Sequence, residues 1–319
     1  MKKISWGIVS TGNIANSFAK DFKYVHTGEL HAVASRSLEK ADDFANKYSI
    51  PKSYGSYKEL YEDREIDAIY VATPHNFHFK NASDALLAGK AVLCEKPITV
   101  NTVECKQLLE IAKSTGNYLM EAIWTYFLPP ILQVQKWIDE GRIGSVQYIK
   151  ADFGFKGNIE REARLYDPEY AGGALLDIGI YPIALAWLIY KKFPEKIFVS
   201  SKKTDTGVDS EETMIFEYSK GEVANLAASI LYEMPNEAII IGNQGYISIP
   251  DFFVAKECFL YKDEELQDHF IDRRESVGYN FEIEAVNQDL RKGKTQSDIV
   301  PLSTSIVLQE HMALVKSKF

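Results

Sequence analysis

The sequence predicts an α/β protein in two parts: an N-terminal doubly wound parallel sheet, then an α+β domain with a large, open and mostly antiparallel sheet. Three observations support this fold class. A chain of 319 residues is longer than one hydrophobic core usually serves. Over the first 125 residues, short apolar runs alternate with amphipathic helical stretches, which is typical of a parallel sheet wound with helices. From Lys196 to Asp268, strand-like runs follow one another with turn signals between them.

The first predicted domain covers residues 1–124. Its strands are short and apolar, and its helices carry apolar residues at spacings of three and four. The predicted strands are Ile4–Val9, Leu30–Ser35, Asp67–Thr73, Ala91–Glu95 and Tyr118–Ile123. The predicted helices include Asn13–Tyr24, Leu38–Tyr48 and Thr102–Ser114. Gly116 follows the last of these and suits the left-handed residue that commonly ends a helix.

The second predicted domain covers residues 125–319, because the character of the sequence changes at Pro129-Pro130. Its predicted elements outside the sheet region are a helix at Ile131–Glu140, a strand at Val146–Phe155, an apolar helix that begins near Gly172-Gly173, and closing helices at Phe281–Arg291 and Ser303–Lys316. The apolar segment Ile178–Tyr190 is shorter than the roughly 20 residues that span a bilayer. We interpret it as a core helix.

Charge and cysteine usage limit the function classes. The formal net charge of −9 disfavours nucleic acid and anionic membranes as partners, since both attract basic surfaces. The start of the chain resembles no secretory signal. Cys94, Cys105 and Cys258 have neither metal-site nor disulfide-framework spacing. We therefore expect a cytoplasmic protein without a metal site.

The turn after the first strand has the composition of a dinucleotide-binding Rossmann domain. Small residues there let the backbone approach a pyrophosphate, and the N–H groups that start the next helix face the anion. This chain has Ser10-x-Gly12-x-x-Ala15, with serine in place of the first glycine, and Asn13 and Ile14 begin the helix. A tight strand-to-helix turn without a ligand is the alternative.

The end of the second strand indicates which nucleotide binds. NAD sites usually place an acid there for the ribose hydroxyls, whereas the 2′-phosphate of NADP requires a cation and hydroxyls. Ser35 and Arg36 supply these groups, and no acid precedes Glu39. The sequence thus favours NADP over NAD, unless Arg36 is only a solvated residue before a helix.

Four residues follow the next parallel strand and are expected to face the same crevice: Thr73, Pro74, Asn76 and His78. Proline ends the strand because it cannot donate to the ladder. Asn76 and His78 are candidates for contact with the nicotinamide ribose. The alternative is that either residue caps the following helix.

Together, these motifs and two later ones resemble the glucose-fructose oxidoreductase/inositol dehydrogenase (Gfo/Idh/MocA) family. The later motifs are Glu95-Lys96-Pro97 and the segment Gly172–Tyr181. The resemblance extends over nearly the whole chain. It is strongest to the subgroup of dimeric dihydrodiol dehydrogenases and NADP-dependent D-xylose dehydrogenases, which also has serine at the position of Ser10.

The resemblance implies a set of catalytic residues. Lys96 is implied to face the nicotinamide and the substrate, and Glu95 and Pro97 to fix its turn; Glu95 and Lys96 also count as cofactor contacts. Tyr181 is implied to exchange a proton with the reacting oxygen, and a cation such as Lys96 would favour its phenolate. Asp177, four residues earlier on one helix face, is implied to bind substrate hydroxyls. Without the resemblance, a capping Asp177 and a core Tyr181 would be the plainer interpretation.

Aromatic and polar residues complete the expected substrate pocket. Trp124 and Phe153 resemble its aromatic walls in the subgroup, although a place in the core is the alternative. Tyr126 stands where the subgroup has arginine, which puts any contact of that arginine in doubt. The polar loop 156–170, which includes Arg164, suits an edge of the pocket or a plain surface loop.

These residues predict an NADP-dependent oxidoreductase that transfers a hydride between the nicotinamide and a sugar, polyol or cyclic trans-diol. The family also includes a nucleotide-binding regulator without turnover and redox-neutral, NAD-dependent glycoside hydrolases, which are the alternatives. The retained proton-handling residues argue against the regulator. We also predict a homodimer through the C-terminal sheet, because its second face needs a cover.

Overall fold

The computed structural model describes residues 2–157 and 163–319 and contains two compact units. The first unit comprises residues 1–124 and 275–306, and the second comprises 125–274 and 307–319. The strands are β1 (Ile4–Val9), β2 (Gly28–Ala34), β3 (Lys52–Tyr54), β4 (Ala68–Val71), β5 (Ala91–Glu95), β6 (Leu119–Ala122), β7 (Val146–Gly154), β8 (Lys196–Lys203), β9 (Asp209–Glu217), β10 (Val223–Ser229), β11 (Ala238–Gly242), β12 (Gly245–Ile249), β13 (Glu257–Lys262) and β14 (Glu265–Ile271). The helices are α1 (Asn13–Asp21), α2 (Leu38–Tyr48), α3 (Tyr57–Glu62), α4 (His78–Leu87), α5 (Thr102–Thr115), α6 (Pro129–Asp139), α7 (Ile180–Tyr190), α8 (Tyr279–Arg291) and α9 (Leu302–Lys316).

The first unit is built on a parallel six-stranded sheet with the strand order β3-β2-β1-β4-β5-β6. Every residue of β4 and β5 is buried, as expected for parallel strands covered by helices on both faces. The strand order reverses at β1, which pairs with β2 on one side and β4 on the other. In doubly wound sheets, nucleotides bind beside such a reversal, at the carboxyl ends of the strands. The turns that contain Ser10, Thr73 and Lys96 leave that edge.

Residues 275–306 lie in the first unit, so the second unit reaches residue 319 but is not continuous over the predicted range 125–319. The carboxylate of Asp21, at the end of α1, accepts N–H bonds from Gly278 at 2.7 Å and Tyr279 at 3.0 Å and so caps α8. Asn287 of α8 accepts a hydrogen bond from Trp6 Nε1 at 2.8 Å. These contacts join residues 257 to 281 positions apart, so no short sequence window shows them.

The second unit is built on an eight-stranded sheet with the order β14-β13-β12-β11-β7-β10-β9-β8. Only the β7–β10 pair among these strands is parallel, which confirms the predicted mostly antiparallel sheet. One face is apolar and buried, and includes Met214, Phe216, Leu226, Ile240 and Ile247. The other face stays partly exposed.

The apolar helix α7 lies in the core of the second unit. Its residues from Ile180 to Ala186 are all buried. Among the described residues, the stretch 168–190 is long and apolar enough to cross a membrane, but 78% of its most apolar window is buried inside the protein. This burial agrees with the interpretation of Ile178–Tyr190 as a core helix.

Candidate active site

The turn after β1 has the geometry that a dinucleotide site requires. Ser10 adopts a φ of 90°, in the left-handed region where glycine is usual, and its Oγ accepts a hydrogen bond from Gly12 N–H at 3.3 Å. α1 then begins without a side-chain cap and without an acid in its first turn. Asn13 is exposed, Ile14 is half-buried and Ala15 is buried. Uncapped N–H groups at an exposed helix start suit a phosphate.

The residues after β2 present one cation to solvent. Ser35 is buried, and its Oγ accepts a hydrogen bond from Ser37 N–H at 3.3 Å. Ser37 Oγ in turn accepts from Lys40 N–H at 3.4 Å and caps α2. Arg36 is exposed between them. Burial raises the pKa of Tyr57, and the charge of Arg36 partly opposes that rise, so the guanidinium and the phenol are neighbours.

His78 is fully buried, and its contact with the cofactor stays a prediction. Its Nδ1 lies 2.7 Å from the carbonyl oxygen of Pro97, and its Nε2 lies 2.8 Å from that of Thr73. Burial lowers the pKa of His78 to about 3, and the two backbone carbonyls, both hydrogen-bond acceptors, oppose that shift. His78 therefore joins the turn after β4 to the turn after β5. Pro74 and Asn76 lie half-buried in the first of these turns.

The turn that carries Lys96 is supported by buried carboxylates. Glu95, only 4% exposed, accepts hydrogen bonds from the Tyr70 hydroxyl and, at 3.2 Å, from Lys96 N–H. Glu121 of β6 accepts from Ile98 N–H at 2.9 Å. The Lys96–Pro97 peptide is cis, and Lys96 is half-buried. Glu95 thus fixes the turn, as the resemblance implies, and has little surface left for a nucleotide.

Tyr70 and Glu121 were missed from the sequence because both lie within strands and match no motif. Burial raises the pKa of Glu121 to about 7, and the hydrogen bond from Ile98 N–H and the charge of Lys96 oppose this rise. Burial also raises the pKa of Glu282, in α8, and Glu95 adds to that rise. A group of buried acids therefore surrounds the base of the Lys96 turn.

Asp177 lies in the second unit, in a π-helical turn (Leu175–Gly179) that precedes α7. The sequence predicts a regular helix here, whereas α7 begins only at Ile180. Arg164 Nη2 donates a hydrogen bond to Asp177 Oδ1 at 3.2 Å. The four-residue spacing of Asp177 and Tyr181 in the sequence did not indicate this partner. Glycine is required at position 173, where φ is 114°.

Tyr181 lies against two phenylalanine rings. Its ring centroid is 5.5 Å from that of Phe153 and 6.0 Å from that of Phe253, both approached edge to face. Phe153 and Phe253 stack on each other at 3.8 Å. The second unit thus brings Phe153 and Tyr181 together, as the predicted pocket requires, and adds Phe253. Sequence analysis missed Phe253 because it follows a strand in a region without motifs.

The remaining predicted residues are placed as follows. Trp124 lies in the first unit, where it is buried and stacks on Tyr279 at 4.7 Å. Tyr126 is buried in the second unit, and its hydroxyl donates to the Ala184 carbonyl oxygen at 2.6 Å. Tyr126 therefore serves the core of that unit. In the polar loop, residues 158–162 lie outside the described ranges, and Tyr166 is buried.

Comparison with known families agrees with both units. Residues 4–123 match the Gfo/Idh/MocA oxidoreductase family, NAD-binding Rossmann fold, and residues 131–248 match the Gfo/Idh/MocA C-terminal domain. Trans-1,2-dihydrobenzene-1,2-diol dehydrogenase of Mus musculus is 36% identical over 318 residues, which cover 96% of this chain and 94% of the relative. The enzyme of that name from Homo sapiens is 35% identical over 325 residues and covers 98% and 96%.

Solved structures show the same fold. A 3-ketoreductase from Actinomadura kijaniata, in complex with NADP and TDP-benzene, superposes with a TM-score of 0.88 at 24% identity, over 99% of this chain and 98% of that one. An aldose-aldose oxidoreductase from Caulobacter crescentus, complexed with glycerol, gives a TM-score of 0.89 at 20% identity, over 99% and 97%. The two family matches and the near full-length relatives lead to one conclusion: this chain belongs to the Gfo/Idh/MocA family of oxidoreductases.

Proposed function

We propose that this protein is an NADP-dependent dehydrogenase that oxidises a cyclic trans-diol, a sugar or a polyol, or reduces the corresponding carbonyl compound. The observation that carries the proposal is the Tyr181 phenol, which lies against a pair of stacked aromatic rings in the unit that also holds Asp177. This arrangement provides a proton-exchanging group and an apolar surface. The curated relatives named as trans-diol dehydrogenases support the substrate class.

The residues present fit a dinucleotide. The left-handed Ser10 and the exposed Gly12 leave the start of α1 open to a pyrophosphate, and α1 has no acid in its first turn to repel one. Arg36, exposed after β2, would hold a 2′-phosphate. Thr73, Pro74 and Asn76 would form the wall beside the nicotinamide. When bound, the nicotinamide supplies the two-electron redox chemistry.

Three residues are assigned to proton transfer and substrate binding: Lys96, Asp177 and Tyr181. Tyr181 takes the proton of the reacting hydroxyl during oxidation and returns it during reduction. The family resemblance assigns Lys96 to the reacting oxygen, where its ammonium would donate a hydrogen bond. Asp177, held by Arg164, accepts hydrogen bonds from substrate hydroxyls. Phe153, stacked on Phe253, contributes an apolar wall.

Turnover with substrate tests the proposal. The absorbance of the reduced nicotinamide is followed while purified protein is incubated with NADP+ or NAD+ and a trans-dihydrodiol, an aldose or a polyol. We expect turnover with NADP+ that Lys96→Met and Tyr181→Phe each lower by about a hundredfold or more, the size of a general acid–base contribution. Lys106→Met, on α5, is the control. Nucleotide binding without turnover of any substrate would favour the regulator. Product formation without net cofactor reduction would favour redox-neutral chemistry.

The outer face of the second sheet supports a homodimer. It exposes apolar side chains on strands at both ends and in the middle of the sheet: Phe198, Ile215, Ile241 and Leu266. A second copy of the same sheet would bury these side chains. We expect light scattering at micromolar concentration to give twice the chain mass of 36.1 kDa. Ile241→Lys should give the single-chain mass, and a wild-type monomer would refute the dimer.

The expected compartment is the cytoplasm. All three cysteines are buried thiols that form no disulfide, as in proteins kept in a reducing environment. Localisation of the tagged full-length chain in its own cells tests this assignment.

A further inference from the structure

We propose that Asp209 and Glu212 of β9 are positioning residues, which hold the segment 173–179 and thereby orient Asp177 and Tyr181. The proposal rests on the oxidoreductase function proposed above. It concerns two residues that belong to no motif and lie on a strand, away from the segment in sequence. Their carboxyl groups meet the two ends of the π-helical turn.

Asp209 caps the first end of the turn. Its Oδ2 accepts a hydrogen bond from Leu175 N–H at 2.6 Å. A Cβ atom at Gly173 would stand 2.4 Å from Asp209 Oδ1, closer than two such atoms can approach. Glycine at position 173 therefore admits the carboxylate as well as the positive φ. An acid at the start of a helix is also favoured by the helix dipole.

Glu212 meets the other end of the turn. It is 1% exposed and occupies a core-facing position of β9, between Ser210 and Met214. Among the described residues, neither of its carboxyl oxygens has a hydrogen-bond partner. Its Oε1 lies 2.7 Å from the place a Cβ atom at Gly179 would take. The carboxyl group thus packs directly against the backbone of Gly179.

A buried acid without a partner costs stability, so its presence in this strand requires a reason. Burial, and then the charges of Asp209 and Glu211, raise the pKa of Glu212 well above its usual range. The role proposed for Glu212 depends on the volume that its carboxyl group fills beside Gly179. Gly179 stands midway between Asp177 and Tyr181. A displacement of this turn by about 1 Å would misalign both side chains, at a cost of about a hundredfold in rate.

The test is a double-mutant cycle on Gly179 and Glu212. Gly179→Ala and Glu212→Ala should each lower kcat by about tenfold to a hundredfold. Removal of the carboxyl makes room for the new methyl group, so the double variant should lose no more than the worse single variant. Glu212→Gln keeps the shape and should retain activity within about twofold. Thr213→Ala, on the exposed face of β9, is the matched control and should be unchanged.

Two further readouts separate positioning from general damage. NADP+ affinity should be unchanged in every variant, and amide hydrogen exchange in Glu212→Ala should rise in peptides spanning 174–181 and not in the rest of the sheet. Single losses that multiply in the double variant, or a folded Glu212→Ala with wild-type kcat and exchange, would overturn the proposal. If the wild type turns over no substrate, the proposed function fails, and the exchange result alone still decides this inference.

Discussion

Arg164 donates a hydrogen bond to Asp177 across 3.2 Å, and the two side chains differ in their surroundings: that of Arg164 is 43% exposed and that of Asp177 is 10% exposed. The guanidinium therefore reaches from solvent to an inner carboxylate. It fixes the orientation of that carboxylate. Because the guanidinium stays largely in solvent, the ion pair is screened, and its effect should be seen in substrate binding.

Arg164→Gln should raise the KM for a diol or sugar substrate roughly three- to tenfold, because Asp177 loses the hydrogen bond that orients it. We expect kcat and the unfolding midpoint to change little. Steady-state kinetics measures KM and kcat separately. Arg142→Gln, which breaks a more exposed pair with Asp268 elsewhere in the second unit, is the control. An unchanged KM would show that Asp177 needs no partner to bind substrate.

Phe253→Leu should discriminate between substrate classes. The variant removes the ring that stacks on Phe153 at 3.8 Å and leaves an apolar side chain. Loss of an aromatic pair corresponds to roughly a three- to tenfold effect on binding. We expect the KM for a cyclic, unsaturated diol to rise by that factor and the KM for an aldose to rise less. Equal changes for both substrates would show that the ring pair only supports Tyr181.

Arg36→Asp should shift the cofactor preference. The new carboxylate repels a 2′-phosphate and can accept hydrogen bonds from the ribose hydroxyls of NAD. We expect kcat/KM for NADP+ to fall about tenfold to a hundredfold, since hydrogen bonds to charged groups are worth about 1.5–3 kcal/mol. The value for NAD+ should rise. Lys40→Asp, in the first turn of α2, makes the same charge change nearby and should leave the ratio unaltered.

Glu121→Gln should flatten the dependence of stability on pH. The pKa of Glu121 is raised from 4.5 to about 7 in the folded protein, chiefly by burial. Its stabilising effect is complete below pH 4.5 and is lost as the pH rises through 7, a loss of about 3 kcal/mol. The amide keeps the acceptor for Ile98 N–H and does not titrate. Unfolding midpoints from pH 4.5 to 8 should therefore fall less steeply in the variant.

The matched control for this measurement is Glu110→Gln, which changes an exposed acid on α5. Its midpoints should run parallel to those of the wild type. Parallel curves for Glu121→Gln as well would mean that Glu121 is ionised in the folded protein at every pH tested.

Local pattern was enough to predict the regular elements. α2 and β5 have the predicted bounds, because Ser37 caps the first and a continuous apolar run defines the second. β3 was not predicted: it has three half-buried residues, too few to show a periodicity. The π-helical turn was not predicted either, and the acids that meet it, Asp209 and Glu212, lie on a distant strand.

The candidate site was predictable where motifs exist and not where tertiary contacts decide. His78 illustrates the limit: its position after β4 suggested a ligand contact, yet two backbone carbonyls occupy its ring nitrogens. Phe253 illustrates the converse, because nothing in its local sequence indicates the ring it stacks on. The placement of residues 275–306 in the first unit also depends on contacts between residues that are far apart in the sequence.

The return of residues 275–306 to the first unit also affects the order in which the chain can fold during synthesis. When residue 124 leaves the ribosome, Trp6 and Asp21 still lack Asn287 and the start of α8. Those partners arrive about 155 to 165 residues later, which at about 5 to 20 residues per second takes on the order of ten to thirty seconds. Meanwhile the whole of 125–274 emerges. The unit that begins first is thus completed late, and the nascent nucleotide-binding sheet must stay unaggregated in the interval.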